Sequence, residues 1–176
     1  PRQQREGGNM RRGKRLTIIG GIVVGLLALS AVAIAASNTF NSKGVNNIKV
    51  RTETSSWSTS STAWVSLPGG SLTMNVPAGK QKLFIAEFDA ESYCQSGSGW
   101  CSIRILMDGT EMHPAAGTNF AFDTVDADRW ESHAMSRTYG PVGAGQHTFQ
   151  VQARVGNAST VFGLDDWTFK VIKAGA

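Results

Sequence analysis

The chain lacks the short motifs by which hydrolases, nucleotide-binding proteins and zinc enzymes announce themselves. It has no GxSxG elbow, no phosphate-binding loop and no dinucleotide fingerprint. Its three histidines, His113, His133 and His147, stand too far apart for an HxH or HExxH ligand pair, which excludes a zinc site read from spacing. Gly20-Gly21 sit inside an apolar run, so they are no phosphate cradle. There is no internal repeat, and long helix-forming runs are scarce. A Ser-His-Asp set remains allowed by the abundant serines, but nothing marks out one of them, and we expect no enzyme.

Cysteine is nearly as scarce. Cys94 and Cys101 bracket QSGSGW, too long a spacing for a CxxC redox motif. Six Gly- and Ser-rich residues let the chain fold back on itself, so the expected pairing is a disulfide formed in an oxidising compartment. Closing a loop of this length restrains the unfolded chain by roughly 2.5 kcal/mol. The alternative is a pair of free thiols beside a turn.

Positive charge is plentiful only at one end. Arg2, Arg5, Arg11, Arg12, Lys14 and Arg15 against Glu6 make the first 15 residues +5, leaving −1 for the rest of a +4 chain. The basic excess is therefore a membrane flank, and nucleic acid is excluded as a partner.

That flank precedes the one long apolar run, Leu16 to Ala36, 21 uncharged residues with Thr17 and Ser30 as the only hydroxyls. As a helix it would measure about 31 Å, against roughly 30 Å of bilayer hydrocarbon. Cations cluster before it and the next is Lys43, so residues 1–15 should stay in the cytoplasm while the rest crosses. Met10 followed by RRGKRL reads as the start of an export signal, and Arg11-Arg12 as a minimal twin-arginine pair. Two readings of the run stay open. A cleavable leader would use Ala33 and Ala35 and be cut before Ala36; a signal anchor would be retained. We carry forward the anchor, whose Gly21 and Gly25 would let a second transmembrane helix approach closely. Glycine is common in such helices in any case.

After a short connector, residues 37–44, the expected domain occupies 45–173. Twenty glycines and many Ser and Thr suit strands joined by turns. Leu72, Met74 and Val76, then Ile103, Ile105 and Met107, then Phe149, Val151, Ala153 and Val155 alternate with polar residues, the pattern of half-buried strands. Leu83 to Phe88 reads as a central strand. Turns are expected at Pro68-Gly69-Gly70, Pro77-Ala78-Gly79, Asp108-Gly109, Gly140 to Gly145 and Asp165-Asp166. Glu111 to Arg129 reads as a long connection with a short strand near Phe120 to Phe122, and Lys173 to Ala176 as a loose tail. About nine strands and no helix after the anchor predict an all-β antiparallel sandwich.

Gly140 to Val155, GPVGAGQHTFQVQARV, followed by FGLDDWTFKV from Phe162 to Val171, resembles the closing strands of jelly-roll modules of exported bacterial proteins. The resemblance covers about a quarter of the chain. It implies a jelly-roll sandwich, export and a bacterial inner membrane with the domain periplasmic or extracellular, and it implies no activity.

Two candidate sites remain. Asp123, Asp126, Asp128 and Glu131 offer oxygen ligands of the kind Ca²⁺ takes, without EF-hand spacing, and an acidic loop is more often simply solvated; no other cofactor is expected. Trp57, Trp100 and Trp130 lie in polar contexts and could stack on sugar rings or anchor a protein contact, whereas Trp64 and Trp167 sit in apolar alternation and read as core. The expected function is a non-enzymatic, single-pass accessory subunit of a larger membrane complex, of respiratory or photosynthetic type for example. Its partners would be other membrane subunits and the bilayer. The alternative is a secreted or tethered carbohydrate-binding or adhesion module.

Overall fold

Two-residue alternation, carried by strand after strand, builds two antiparallel sheets. The computed structural model describes residues 44–117, 120–125 and 129–176, all within one unit of the chain, 39–176. The expected transmembrane helix with Gly21 and Gly25, the basic segment 1–15 and most of the connector lie outside the described residues. Among those described, no helix is long and apolar enough to cross a membrane.

The strands are β1 (Val45–Glu53), β2 (Trp57–Thr59), β3 (Val65–Val76), β4 (Lys82–Gln95), β5 (Trp100–Met107), β6 (Thr110–Glu111), β7 (Asp123–Thr124), β8 (Glu131–Val142), β9 (Gly145–Val155) and β10 (Val161–Gly175). One sheet runs β1-β10-β4-β8, with β2 extending the β1 edge along β10; the other runs β3-β9-β5-β6, with β7 also on β5. The inward side chains of both sheets meet in one core that includes Phe84, Phe88, Phe149, Phe162, Phe169 and Trp167. The molecule is an all-β sandwich.

Two expected turns are bulges inside continuous strands. Along β10, Asp165 pairs with Glu91 and Thr168 with Asp89, so Asp166 and Trp167 together face Ala90. The extra residue reverses the phase: Phe162 and Leu164 point inward before it, Trp167, Phe169 and Val171 after it. Asp166 takes a left-handed conformation, φ 42°, to accommodate this. In β3 the segment Leu67 to Gly70 bulges out between Ser66 and Ser71, which pair with Gln152 and Gln150. Leu67 and Gly70 are still buried there. The tail is not loose either, since β10 stays paired with β4 as far as Gly175↔Lys82. The short strand in the long connection is β7, one residue beyond Phe122. Trp64 is half-buried on the outside of the second sheet, between the guanidinium groups of Arg104 and Arg154, 4.5 and 5.0 Å from its ring.

Cys94 and Cys101 form a disulfide with a Cα–Cα distance of 5.9 Å. It joins β4 to β5, one strand from each sheet, and both sulfurs are buried in the core. Replacing both cysteines by alanine is expected to lower unfolding stability by about 2.5 kcal/mol. Urea titration with and without reductant measures this; equal midpoints for the oxidised and reduced wild type would contradict it.

Candidate functional site

The outer face of the first sheet gathers aromatic side chains at the end remote from Gly44. Successive outward positions on β4 are Asp89, Glu91 and Tyr93, and their neighbours on β8 and just before it are Ala134, Ser132 and Trp130. Tyr93 and Trp130 pack edge to face, with ring centroids 4.5 Å apart. Opposite Tyr93 on β10 is Gly163. An added Cβ there would fall inside the phenol ring, so the absence of a side chain is what lets Tyr93 lie against the sheet. The segment Ser56 to Ser58 closes a shallow cleft of about 110 Å³ beside these two rings; Trp57 there pairs with the core-facing Leu164 and packs its side chain against the core. Trp130 is 46% exposed, so one indole stays open to a ligand.

A second cleft, about 330 Å³, continues along the same face between Asp89, Glu91, Ser132, His133 and Asp166. Burial, assisted by the nearby Glu87 charge, raises the pKa of Asp89 above its ordinary value; Lys170 and the Thr168 hydroxyl oppose this. The two clefts together form an aromatic platform bordered by carboxylates. Such a surface can stack on the apolar face of a ring while accepting hydrogen bonds from its hydroxyls.

Of the residues singled out from sequence, Trp57 borders the cleft with its side chain packed against the core, and Trp130 is on the open face. Trp100 is not. It begins β5, pairs with Thr124, and its indole Nε1 is buried without a hydrogen-bond partner among the described residues. Tyr93 was missed, because its place opposite Gly163 depends on the β4–β10 register, which no local pattern records.

The acidic group divides. Asp126 and Asp128 lie outside the described residues, and Glu131 is exposed at the start of β8, its Oε2 4.0 Å from His133 Nε2. Asp123 is buried and committed: Oδ2 accepts the Ser92 hydroxyl at 2.7 Å, and Oδ1 accepts the Thr124 N–H at 2.7 Å. Among the described residues no cluster of three ligating side chains is assembled for a metal. His133 Nδ1 lies 2.9 Å from Ser92 Oγ. A serine has one proton, and here it is given to Asp123, so His133 must donate to the serine. The relay therefore runs His133 to Ser92 to Asp123, with serine in the middle. A hydrolytic triad needs histidine there. Ser92 is fully buried, and the relay ties β4 and β8 of one sheet to β7 of the other.

A further pair sits at the opposite end. His147 Nδ1 is 2.7 Å from Asp108 Oδ2, and Nε2 is 3.1 Å from the Gly143 carbonyl, so both ring nitrogens face acceptors. Burial would lower the His147 pKa, but the hydrogen bonds to Asp108 and Gly143 and the carboxylate charge outweigh it and hold it above its ordinary value. For Asp108, burial would raise the pKa, but the bonds from His147 and the Thr148 N–H outweigh it and hold it below. The imidazolium thus contributes stability fully below its unfolded pKa, about 6.5, and loses it as pH rises through the raised folded value. Asp108 contributes above the ordinary carboxylate range and loses its share as pH falls through the depressed folded value. Stability is expected to plateau in mild acid between these limits. His147→Gln should cost about 1 kcal/mol on the plateau and flatten the alkaline limb. Urea midpoints across this pH range check it; an alkaline limb unchanged in the variant would refute it.

Comparison with protein-family models and with curated protein sequences finds no match for this chain.

Proposed function

We propose that this protein is a non-enzymatic, extracytoplasmic binding module that recognises carbohydrate through the cleft beside Tyr93 and Trp130. One observation carries the reading: side chains far apart in sequence converge over Gly163 into an aromatic platform bordered by Asp89, Glu91 and Asp166. Stacking on a ring face and accepting from hydroxyls are the two interactions a sugar offers. The strand order β1-β10-β4-β8 over β3-β9-β5-β6 supports a jelly-roll wiring. In this proposal the run Leu16 to Ala36 is a retained anchor in a bacterial inner membrane, with the sandwich outside.

Binding of the full chain, purified in mild detergent, to a glycan array tests the proposal. Trp130→Ala is expected to weaken the positive hits about tenfold or more, since it removes the open stacking face. Trp100→Ala should leave affinity unchanged. An array blank for the wild type would retire the carbohydrate reading.

The competing reading, an accessory subunit of a larger membrane complex, draws support from the outward apolar side chains of β1. Constant co-purification with other membrane polypeptides would favour it, and a chain that runs alone would count against it.

A further inference from the structure

We propose that the corner of the sandwich where β1 begins and β10 ends is a docking surface for an anionic lipid bilayer. Strand β1 is amphipathic in the inverse sense. Lys49, Arg51 and Glu53 pair with the core-facing Val171, Phe169 and Trp167, whereas Ile48 and Val50 pair with Ile172 and Lys170 on the outer face. Val45, Ile48 and Val50 are three of the four large apolar side chains left exposed among the described residues, at 61, 52 and 53%. Half-buried Ile172 and Ile85 continue the Ile48 row across the sheet. Nothing in the core calls for this arrangement, which leaves apolar surface in water.

Charge names the occupant. Lys49, Lys80, Lys82 and Lys173 surround the same corner, lining two clefts together with Asn46, Asn47, Gly79 and Gly175. Lys82 donates to Asn46 Oδ1 at 2.5 Å and Lys173 to the Asn75 carbonyl at 2.8 Å. No carboxylate among the described residues lies within ion-pair distance of any of the four. Glu87 is taken by Lys170 and Asp108 by His147. Asp89, Glu91, Asp165 and Asp166, and Glu131 opposite the inward Ser92, belong to the other half of the first sheet. Outward aliphatic side chains, with Lys80 and Lys82 beside them at the corner and Lys49 and Lys173 on the inner side of the same edge, none of the four in an ion pair among the described residues, match the apolar boundary and phosphate layer of an anionic membrane. A second copy in an isologous contact would set these lysines against themselves.

The chain enters at this corner, where the Gly44 carbonyl accepts from the Gly175 N–H at 2.9 Å. The uncharged run ends at Ala36, and residues 37–44 reach about 26–29 Å at full extension. That last argument rests on the anchor reading above; the apolar row and the lysines do not.

The experiment uses the full chain in nanodiscs of phosphatidylcholine alone or mixed with phosphatidylglycerol, read by amide hydrogen exchange. Exchange in 45–50 and 79–83 is expected to slow about tenfold or more with phosphatidylglycerol, to recover at high salt, and to stay fast in Lys80→Gln/Lys82→Gln/Lys173→Gln. The turn at 156–160 should not respond. Equal exchange in both lipids, with the chain embedded, would overturn the proposal while leaving the anchor intact. Should alkaline carbonate strip the chain from membranes, the anchor reading falls instead. The docking surface is then judged by reversible co-sedimentation with phosphatidylglycerol vesicles, where parity of wild type and triple variant overturns it. Cross-links from Ile48 to another polypeptide, or to a second copy, would also overturn it.

Discussion

Trp167→Ala should be among the most damaging single substitutions in this domain, with an expected loss of about 3–5 kcal/mol. The indole is 1% exposed and packs beside Phe88, at a centroid distance of 6.1 Å. The Gly69 backbone of the β3 bulge closes over it: a Cβ on Gly69 would sit 3.6 Å from the indole. Two bulges, one in each sheet, thus converge on this side chain, and neither can collapse inward without breaking its own pairing. The cavity would therefore persist. For a domain of this size the loss corresponds to a fall in melting temperature of roughly 10–20 °C. Trp64→Ala is the control, because that ring is held by two guanidinium groups on the outer face and should cost only about 1 kcal/mol. Thermal and urea unfolding of both variants measure the contrast. Equal losses would mean that Trp167 is not the point where the sheets lock.

The second large effect is expected at Gly140, for a reason unrelated to burial of apolar surface. Its φ is +129°, a conformation that side-chain-bearing residues avoid. An added Cβ would stand 2.8 Å from the Lys82 carbonyl oxygen and 3.2 Å from the Leu83 Cα, both backbone atoms of the adjoining strand. Neither can swing aside as a side-chain tip would. Backbone strain of about 1–3 kcal/mol and a similar overpacking term give an expected loss of about 3 kcal/mol for Gly140→Ala. Gly143→Ala, in the following turn with nothing within 4 Å, should be close to neutral. Denaturant midpoints decide it, and a neutral Gly140→Ala would show that β4 and β8 separate easily at this end.

Much of the architecture was legible because alternation is a local signal. Phe149, Val151, Ala153 and Val155 declare an inward face without reference to any other strand, and all four are buried. Reading failed where one residue was inserted. At Asp165-Asp166 the alternation changes phase, which looks the same in sequence whether the chain turns back or bulges and runs on. The pairing of Asp165 with Glu91 and Thr168 with Asp89 decides for the bulge. The same ambiguity split β3 at Pro68-Gly69-Gly70.

The candidate site was legible only in part. Polar surroundings picked out Trp130, yet they picked out Trp100 and the core-packed Trp57 equally well. The same compositional logic put Asp123 in a cation site, while the fold turns it inward to Ser92. A side chain's partners depend on strands far away in sequence, and local context carries no record of them.

By itself, then, the sequence determined the class of the fold, the pairing of Cys94 with Cys101 and the inward faces of most strands, because period and loop length act over short stretches of chain. Only the tertiary structure decided that Tyr93 lies against Gly163 beside Trp130, that Ser92 stands between His133 and Asp123, and that β1 turns Ile48 and Val50 outward. Those arrangements follow from register between strands more than a hundred residues apart in the case of β1 and β10, and register is set by the packing of the whole sandwich.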